Sequence, residues 1–377
     1  MSAKGLEGVV AAQTRISKVM GEEGRLIYGG YEIDDLARNT SFEEVCHLLW
    51  YGELPDRAAL DRLRSELVNG ARVDERVLGV VRAAPPKTHP MATLRTAVSA
   101  LAYSDPEAED MTPEANQRKA IRLTGQVVTL TAAIDRLRKG KDPIAPREDL
   151  GLAANLLYML TGEEPDTDAE RIMDAALTLH AEHGLNASTF AARVTAATLA
   201  DLHSAVTSTI GTLKGPLHGG ANERVMRMLL EIDRPENAAT WVTEALGRGE
   251  KIMGFGHRVY RALDPRASIL KELAGKLSAR GGDTRWLDIS EQVQQVMARE
   301  MQARGKKIYP NVDFFSASVY YTLGIPVDMF TNIFACARMA GWTAHVMEQH
   351  KDNRLIRPKS DYVGPKGLKV KPIDERA

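Results

Sequence analysis

The stretch from Lys251 to Arg266 reads K-I-M-G-F-G-H-R-V-Y-R-A-L-D-P-R. Gly254 and Gly256 bracket Phe255, and His257 follows at once. Glycine admits backbone shapes closed to other residues and lets a ligand approach the main chain. Asp264-Pro265 reads as a helix start, with aspartate as N-cap and proline at the first helical position. Ile269, Leu270, Leu273 and Leu277 continue it as an apolar stripe at helical spacing. Arg266 then sits in a first turn, where a cation opposes the helix dipole, which points to a nearby anion. A solvated arginine is the plain alternative.

Outward from that stretch the pattern is helical almost throughout. Ser41 with Glu44 forms a capping box ahead of Phe42, Val45, Leu48 and Leu49, and Gly52 to Pro55 ends that helix. Glu114 to Arg138 is one long helical pattern. Asp168 begins a helix with Ile172, Ala176 and Leu179 on one face, and His183 lies at its buried C-terminal end. The last long helix runs from about Val327 to Gln349, with Phe330, Phe334, Arg338, Gly341 and His345 on one stripe. Residues 5–35 are short segments broken by glycine, and alternating runs are absent. The reading is all-α, with one short hairpin near Ile252 to Tyr260.

Composition narrows the class. A chain of 377 residues exceeds one compact core, so two domains are expected. A net charge of -1 argues against a general nucleic-acid or membrane binder. Cys46 and Cys336 lie in apolar helical patterns, which fits a reducing compartment. The start, Met1 to Gly5, has no apolar core for a signal peptide, and no apolar run is long enough to span a membrane. A cytoplasmic enzyme is expected.

Three histidines, His183, His218 and His257, share a setting at helix ends or glycine-rich turns. The other six look ordinary. His218 precedes a helix start, a position that lowers an imidazole pKa and favours the neutral, donating ring. Such a ring can stabilise an enol or enolate. Asp313, at a helix start before two phenylalanines, is a base suited to a carbon acid. The plain alternatives are a turn-forming histidine and a capping aspartate. Arg266, Arg338 and Arg357 suit carboxylates, because guanidinium pairs with them bidentately. Arg338 is a cation on an apolar face, where burial without a partner is expensive. Together these residues describe a site that binds a small polyanion and removes a proton beside a carbonyl.

The chain resembles the citrate synthases over almost its whole length. The likeness is carried by Gly5-Leu6-Glu7-Gly8-Val9, Phe42 to Pro55, His183 with Asn186-Ala187-Ser188, and Gly215 to Asn222. Gly254 to Arg266, Pro310-Asn311-Val312-Asp313 and Arg357-Pro358-Lys359-Ser360 complete it. The resemblance implies that Asp313 takes a methyl proton from acetyl-CoA, His218 stabilises the enol, and His257 polarises the oxaloacetate ketone. His183, Arg266, Arg338 and Arg357 would hold oxaloacetate, with Arg357 coming from the other subunit of a homodimer. Ile252, Met253, Gly254, Phe255 and Gly256 would contact the CoA adenine, and Arg261 and Lys306 its phosphates. No cofactor or metal is implied, the coenzyme A thioester being a substrate.

It also implies a large domain from residues 1–218 and 324–377, a small one from 219–323, and the site in the cleft between them. The extra N-terminal domain of hexameric, NADH-inhibited members is absent, so that regulation is not expected. Gly29 and Gly184 depart from the family pattern, which often has arginine and glutamate there. The 2-methylcitrate synthases share these motifs and differ by one methylene in the donor. A metal-dependent hydrolase built on His218, His257 and Asp313 is the rival from another class, and a helical scaffold without catalysis is a third.

Overall fold

The structure, a computed structural model, describes residues 4–6, 8–281 and 283–376; Glu7 of the first family motif lies outside them. The fold is all-α. The one sheet among the described residues is a three-stranded antiparallel meander of β1 (Ser17–Met20), β2 (Arg25–Tyr28) and β3 (Tyr31–Glu32). Ten helices follow: α1 (Ile33–Asn39), α2 (Phe42–Tyr51), α3 (Arg57–Gly70), α4 (Glu75–Arg82), α5 (Pro90–Leu101), α6 (Pro113–Arg138), α7 (Leu152–Thr161), α8 (Thr167–His180), α9 (Ala187–Ala196) and α10 (Leu202–Leu213). Then come α11 (Ala221–Ile232), α12 (Ala238–Gly247), α13 (Pro265–Gly281), α14 (Arg285–Ala303), α15 (Val312–Thr322) and α16 (Phe330–Lys351).

Local chemistry sets many boundaries. Ser41 N donates to Glu44 Oε2 (2.7 Å) and Glu44 N to Ser41 Oγ (3.4 Å), closing the capping box at the start of α2. Thr112 caps α6 with Pro113 at its first position. Asp166, not Asp168, caps α8, by accepting from Ala169 N at 2.9 Å. α8 ends at His180, so His183 lies beyond the helix rather than on its last turn.

α16 is the axis of the molecule. Every residue from Phe330 to Val346 is buried. The helix packs on α2, α6, α8, α9 and α10. It is therefore buried all round and has no single apolar stripe; its polar positions are mostly short or hydrogen-bonded, as such a helix requires. It begins at Phe330, after one 3-10 turn over Val327–Met329. Helices α11 to α15 pack chiefly on one another, and α13 also rests on α1 and α8.

The hairpin lies elsewhere than the sequence pattern placed it. Ile252 to Tyr260 is irregular and contributes one isolated bridge, Phe255 to Pro310. The strands sit instead at residues 17–32, where four-residue segments are too short for alternation to be read. Residues 352–376 trail away along the surface, mostly exposed.

Ile333 is fully buried in the first turn of α16. Ile333→Ala is expected to lower the unfolding free energy by about 2–5 kcal/mol. Denaturant titration checks this, and a loss under about 0.5 kcal/mol, the range of an ordinary surface change, would remove α16 from the centre of the core.

Candidate active site

Two chain segments meet at the site, and each is fixed by its own hydrogen bonds. The first follows α8. Arg338 Nε donates to the His180 carbonyl at 2.6 Å, and its guanidinium carbon lies 4.8 Å from the centre of the Phe334 ring. Burial pulls the Arg338 pKa down to about 10. The guanidinium makes no ion pair among the described residues. Glu182 is the near carboxylate. Its Oε1 accepts from Ser17 Oγ (2.8 Å), from Gly184 N and from His345 Nε2 (3.1 Å). Burial pushes Glu182 up, but His345, Arg338 and Ser17 together hold it below the usual carboxylate value. Arg193 Nη1 donates to His345 Nδ1 at 2.9 Å, and a guanidinium can only donate, so the His345 proton sits on Nε2, facing Glu182.

The second segment is the glycine turn. Gly254 has φ 80°, and a Cβ there would stand 2.8 Å from Phe314 and 2.9 Å from Val225. Only glycine fits. Asn311 N donates to Gly254 O, Gly256 N to Tyr309 O and Asn311 Nδ2 to Gly256 O, all at 2.9 Å. The turn carrying His257 is thus stitched to the residues leading into Asp313, and two separate motifs become one structure.

Within it each titratable group is set. Asn311 caps α15 by accepting from Asp313 N (3.0 Å), so Asp313 is not the cap and its side chain is free for other work. Asp313 Oδ1 is buried without a partner among the described residues. Burial raises Asp313 to about 7; Arg266 and Arg338 oppose this, and Asp264 adds to it. His257 Nδ1 accepts from Val259 N (3.0 Å) and Tyr260 N (3.1 Å), so the neutral ring carries its proton on Nε2. Burial, with help from Arg266, pulls His257 down to about 4.

His218 falls to about 4 as well, through burial and then Arg338. The ring meets the N-terminus of α9, through Ser188 in its first turn, rather than that of α11, which begins only at Ala221. Its Nε2 accepts from Ser188 N (3.3 Å) and lies 2.8 Å from Ser188 Oγ, which leaves the proton on Nδ1. The anion anticipated beside Arg266 is Asp264 itself. Arg266 Nε and Nη2 meet its two oxygens at 3.0 and 2.8 Å, with both side chains buried.

The two segments converge on His183. Its ring lies 5.2 Å from His257 and 5.5 Å from Tyr260, and its Nε2 is 3.3 Å from the Tyr260 hydroxyl. Burial holds its pKa well below the ordinary value, and Arg266, His257, Arg338 and His218 push the same way. His183, His218, His257, Asp313, Arg266 and Arg338 therefore share one electrostatic neighbourhood.

Other predicted positions lie apart from that centre. Ile252 and Gly254 are buried, while Met253, Phe255 and Gly256 are half-buried. Arg261 and Lys306 are exposed, as CoA phosphate ligands would be, and Arg357 stands on the exposed tail. Sequence reading missed Glu182, Tyr260 and the capping role of Asn311. Tyr260, three residues after His257, was a visible signal; the buried Glu182 had none. Among the described residues, no group of three or more His, Cys, Asp or Glu is placed to hold a metal ion.

Comparison with known proteins gives the family. The sequence profile of the citrate synthase C-terminal domain matches residues 5–359. Citrate synthase 2 of Bacillus subtilis is 50% identical over 377 residues, covering 100% of both chains. The chain belongs to the citrate synthase family. It is accordingly an acyltransferase, not a metal-dependent hydrolase or a scaffold. A 2-methylcitrate synthase of Mycobacterium tuberculosis is 46% identical over 361 residues, covering 96% of this chain and 90% of that one. Among solved structures, citrate synthase of Thermoplasma acidophilum in ternary complex with carboxymethyl coenzyme A and oxaloacetate superposes with a TM-score of 0.94 at 33% identity, covering 100% of each chain.

The site's titration gives a pH prediction. His218 and His257 are neutral above about 4, so they stay neutral near pH 7. Asp313 gains its charge only as pH rises through about 7. A base must be ionised, so kcat/KM for the CoA ester should fall as pH drops through about 7 and level off above it. An acid limb near 4 in the measured profile would mean that an ordinary carboxylate, not the buried Asp313, is the base.

Proposed function

We propose that the chain condenses acetyl-CoA with oxaloacetate and hydrolyses citryl-CoA to citrate and CoA. The reading rests above all on the buried Oδ1 of Asp313, without a partner among the described residues, and on two neutral histidines. These feel the same arginines as Asp313, Arg338 at His218 and Arg266 at His257, and their tautomers are fixed by backbone N–H groups. Asp313 removes a methyl proton from the thioester. The Nδ1–H of His218 hydrogen-bonds the enol oxygen. The Nε2–H of His257 polarises the ketone of oxaloacetate. The enol carbon then bonds to the ketone carbon, whose oxygen takes a proton from His257, and the proton taken by Asp313 returns to the imidazole before the next turnover. Water hydrolyses the resulting thioester, releasing CoA.

His183, Arg266 and Arg338 hold the dianion. Ile252 to Gly256, Arg261 and Lys306 bind CoA, the first set through its backbone. Residues 219–323 form a small domain that closes on residues 1–218 and 324–377, which the mutual packing of α11 to α15 supports. Ligands from both sides favour the closed state and exclude water. The free, buried Cys46 and Cys336 accord with the cytoplasm. No helix among the described residues is long and apolar enough to cross a membrane.

The second reading is 2-methylcitrate synthesis from propionyl-CoA, favoured by the relative from Mycobacterium tuberculosis. One methylene is worth only about 1–3 kcal/mol in a pocket. Thiol release measured with acetyl-CoA and with propionyl-CoA, each with oxaloacetate, decides between the two by their kcat/KM ratio. In the same assay Asp313→Asn should lose about 10²–10⁴ in rate while oxaloacetate affinity is kept. Wild-type turnover in that variant would overturn the mechanism.

Arg357 is assigned to the neighbouring site of a homodimer. The tail that carries it exposes Val363 (96%), Val370 (88%) and Leu368 (80%), an apolar set that a second copy could cover. In a two-fold dimer the exchange is reciprocal. Arg357→Leu and Asp313→Asn homodimers are each expected to be inactive. A mixed dimer has one whole site, in which the Arg357→Leu subunit's Asp313 works with the partner subunit's Arg357. Refolding the two together should restore about a quarter of wild-type activity, because random mixing makes about half the dimers mixed with one good site of two. No recovery despite proven mixed dimers would place Arg357 in its own subunit's pocket.

A further inference from the structure

The β1–β2 hairpin touches both segments of the site. On one side it grips the chain on either side of His183. Tyr28 Oη donates to Glu182 O (2.7 Å) and accepts from Glu182 N (3.2 Å). Ser17 Oγ donates to Glu182 Oε1 (2.8 Å) and accepts from Gly184 N (3.1 Å). Residues 182 and 184 are thus both tied to the hairpin, and His183 has little freedom between them.

On the other side, the hairpin turn lies against the chain between His257 and Arg266. Gly21 O accepts from Arg261 N at 2.9 Å. A Cβ at Gly21 would stand 2.2 Å from the Val259 carbonyl oxygen, and one at Gly24 would stand 2.7 Å from the Leu263 carbonyl oxygen. Gly21 does not have a positive φ, so alanine suits the hairpin's own backbone there. The Val259 carbonyl is what excludes it. Both partners in that contact are main chain, so relief requires one segment to move, by about 1 Å if ordinary contact distances of 3.4 Å or more are to be restored. Displacements of about 1 Å can cost 10²-fold in an organised site.

We infer that the β1–β2 hairpin is a spacer that sets the position of the His257–Arg266 segment relative to His183, with Gly21 and Tyr28 as its positioning residues. Gly21 has no side chain, and the Tyr28 hydroxyl is taken up by the Glu182 backbone. They act through the side chains assigned above to the oxo acid, so the inference rests on that functional reading. His218 is placed by other contacts, through Ser188. The His257–Arg266 segment also carries Arg261, assigned above to the CoA phosphates, and Asp264 Oδ2 accepts from Val312 N beside Asp313 at 3.3 Å. A fault on the Tyr28 side, which grips only the chain around His183, should therefore disturb oxaloacetate alone, whereas one at Gly21 reaches both substrates.

Steady-state kinetics of Gly21→Ala with each substrate varied tests this. The expected result is a rise of at least tenfold in KM for oxaloacetate, with a rise in KM for acetyl-CoA as well because Arg261 moves with the segment. Tyr28→Phe keeps the ring and removes the hydroxyl bonds; it should raise the oxaloacetate KM at least threefold and decides the matter if Gly21→Ala fails to fold. Gly140→Ala is the control for strain alone. Gly140 has φ 71° with nothing within 4 Å of its would-be Cβ, so it should lower thermal stability and leave both KM values unchanged. An unchanged oxaloacetate KM in Tyr28→Phe and in folded Gly21→Ala, or a rise in Tyr28→Phe that is equal for oxaloacetate and acetyl-CoA, overturns the spacer alone. A wild-type protein that turns over neither CoA ester overturns the functional reading, and this inference with it.

Discussion

Two guanidinium groups buried in the interior, Arg338 and Arg266, set the conditions for everything around them. A buried cation is tolerated only with partners. Arg266 has Asp264, bidentate and equally buried. Arg338 has a carbonyl, a ring face and the nearby charge of Glu182, but no ion pair of its own among the described residues. That leaves positive charge unspent in a low-dielectric cleft. The surrounding imidazoles respond by staying neutral, because burial and these two cations both oppose a proton on them. The same cations oppose the burial that raises Asp313, holding it near the pH at which a base is most useful.

The neutrality of the histidines matters only because their tautomers are also fixed. His257 gives Nδ1 to two backbone N–H groups and keeps the proton on Nε2. His218 gives Nε2 to Ser188 and keeps the proton on Nδ1. In both rings the protein occupies the acceptor nitrogen and leaves the donor for the ligand. A donor fixed in place before the reaction stabilises developing negative charge without reorganising at the moment of need.

The site also depends on the way the chain folds back on itself. The glycine turn is bonded to Tyr309 and Asn311 across a long sequence separation, and the hairpin bonds Glu182 and Gly184 from the far N-terminal side. No single element carries the chemistry. A 3.6-residue period reports one helix at a time, so contacts of this kind leave no trace in it.

The sequence by itself determined the helical class, the capping box at Ser41, the Asp264-Pro265 start of α13 and the family. It also determined the residues of the centre, because glycine turns and helix starts are local chemistry that can be read residue by residue. What it could not supply was anything set by distant neighbours. It placed a hairpin at 252–260, yet the sheet formed at 17–32, where the strands are too short to show alternation. It set the neutral His218 at the helix start that follows it in sequence, whereas the ring is buried beside Arg338 and meets the first turn of α9 instead. It left Asp313 open between cap and base, and the tertiary structure gave the cap to Asn311. It left the anion of Arg266 unnamed although Asp264 stood two residues away. Burial, and with it pKa and tautomer, depends on which atoms surround a group in space, and only the folded chain decides that.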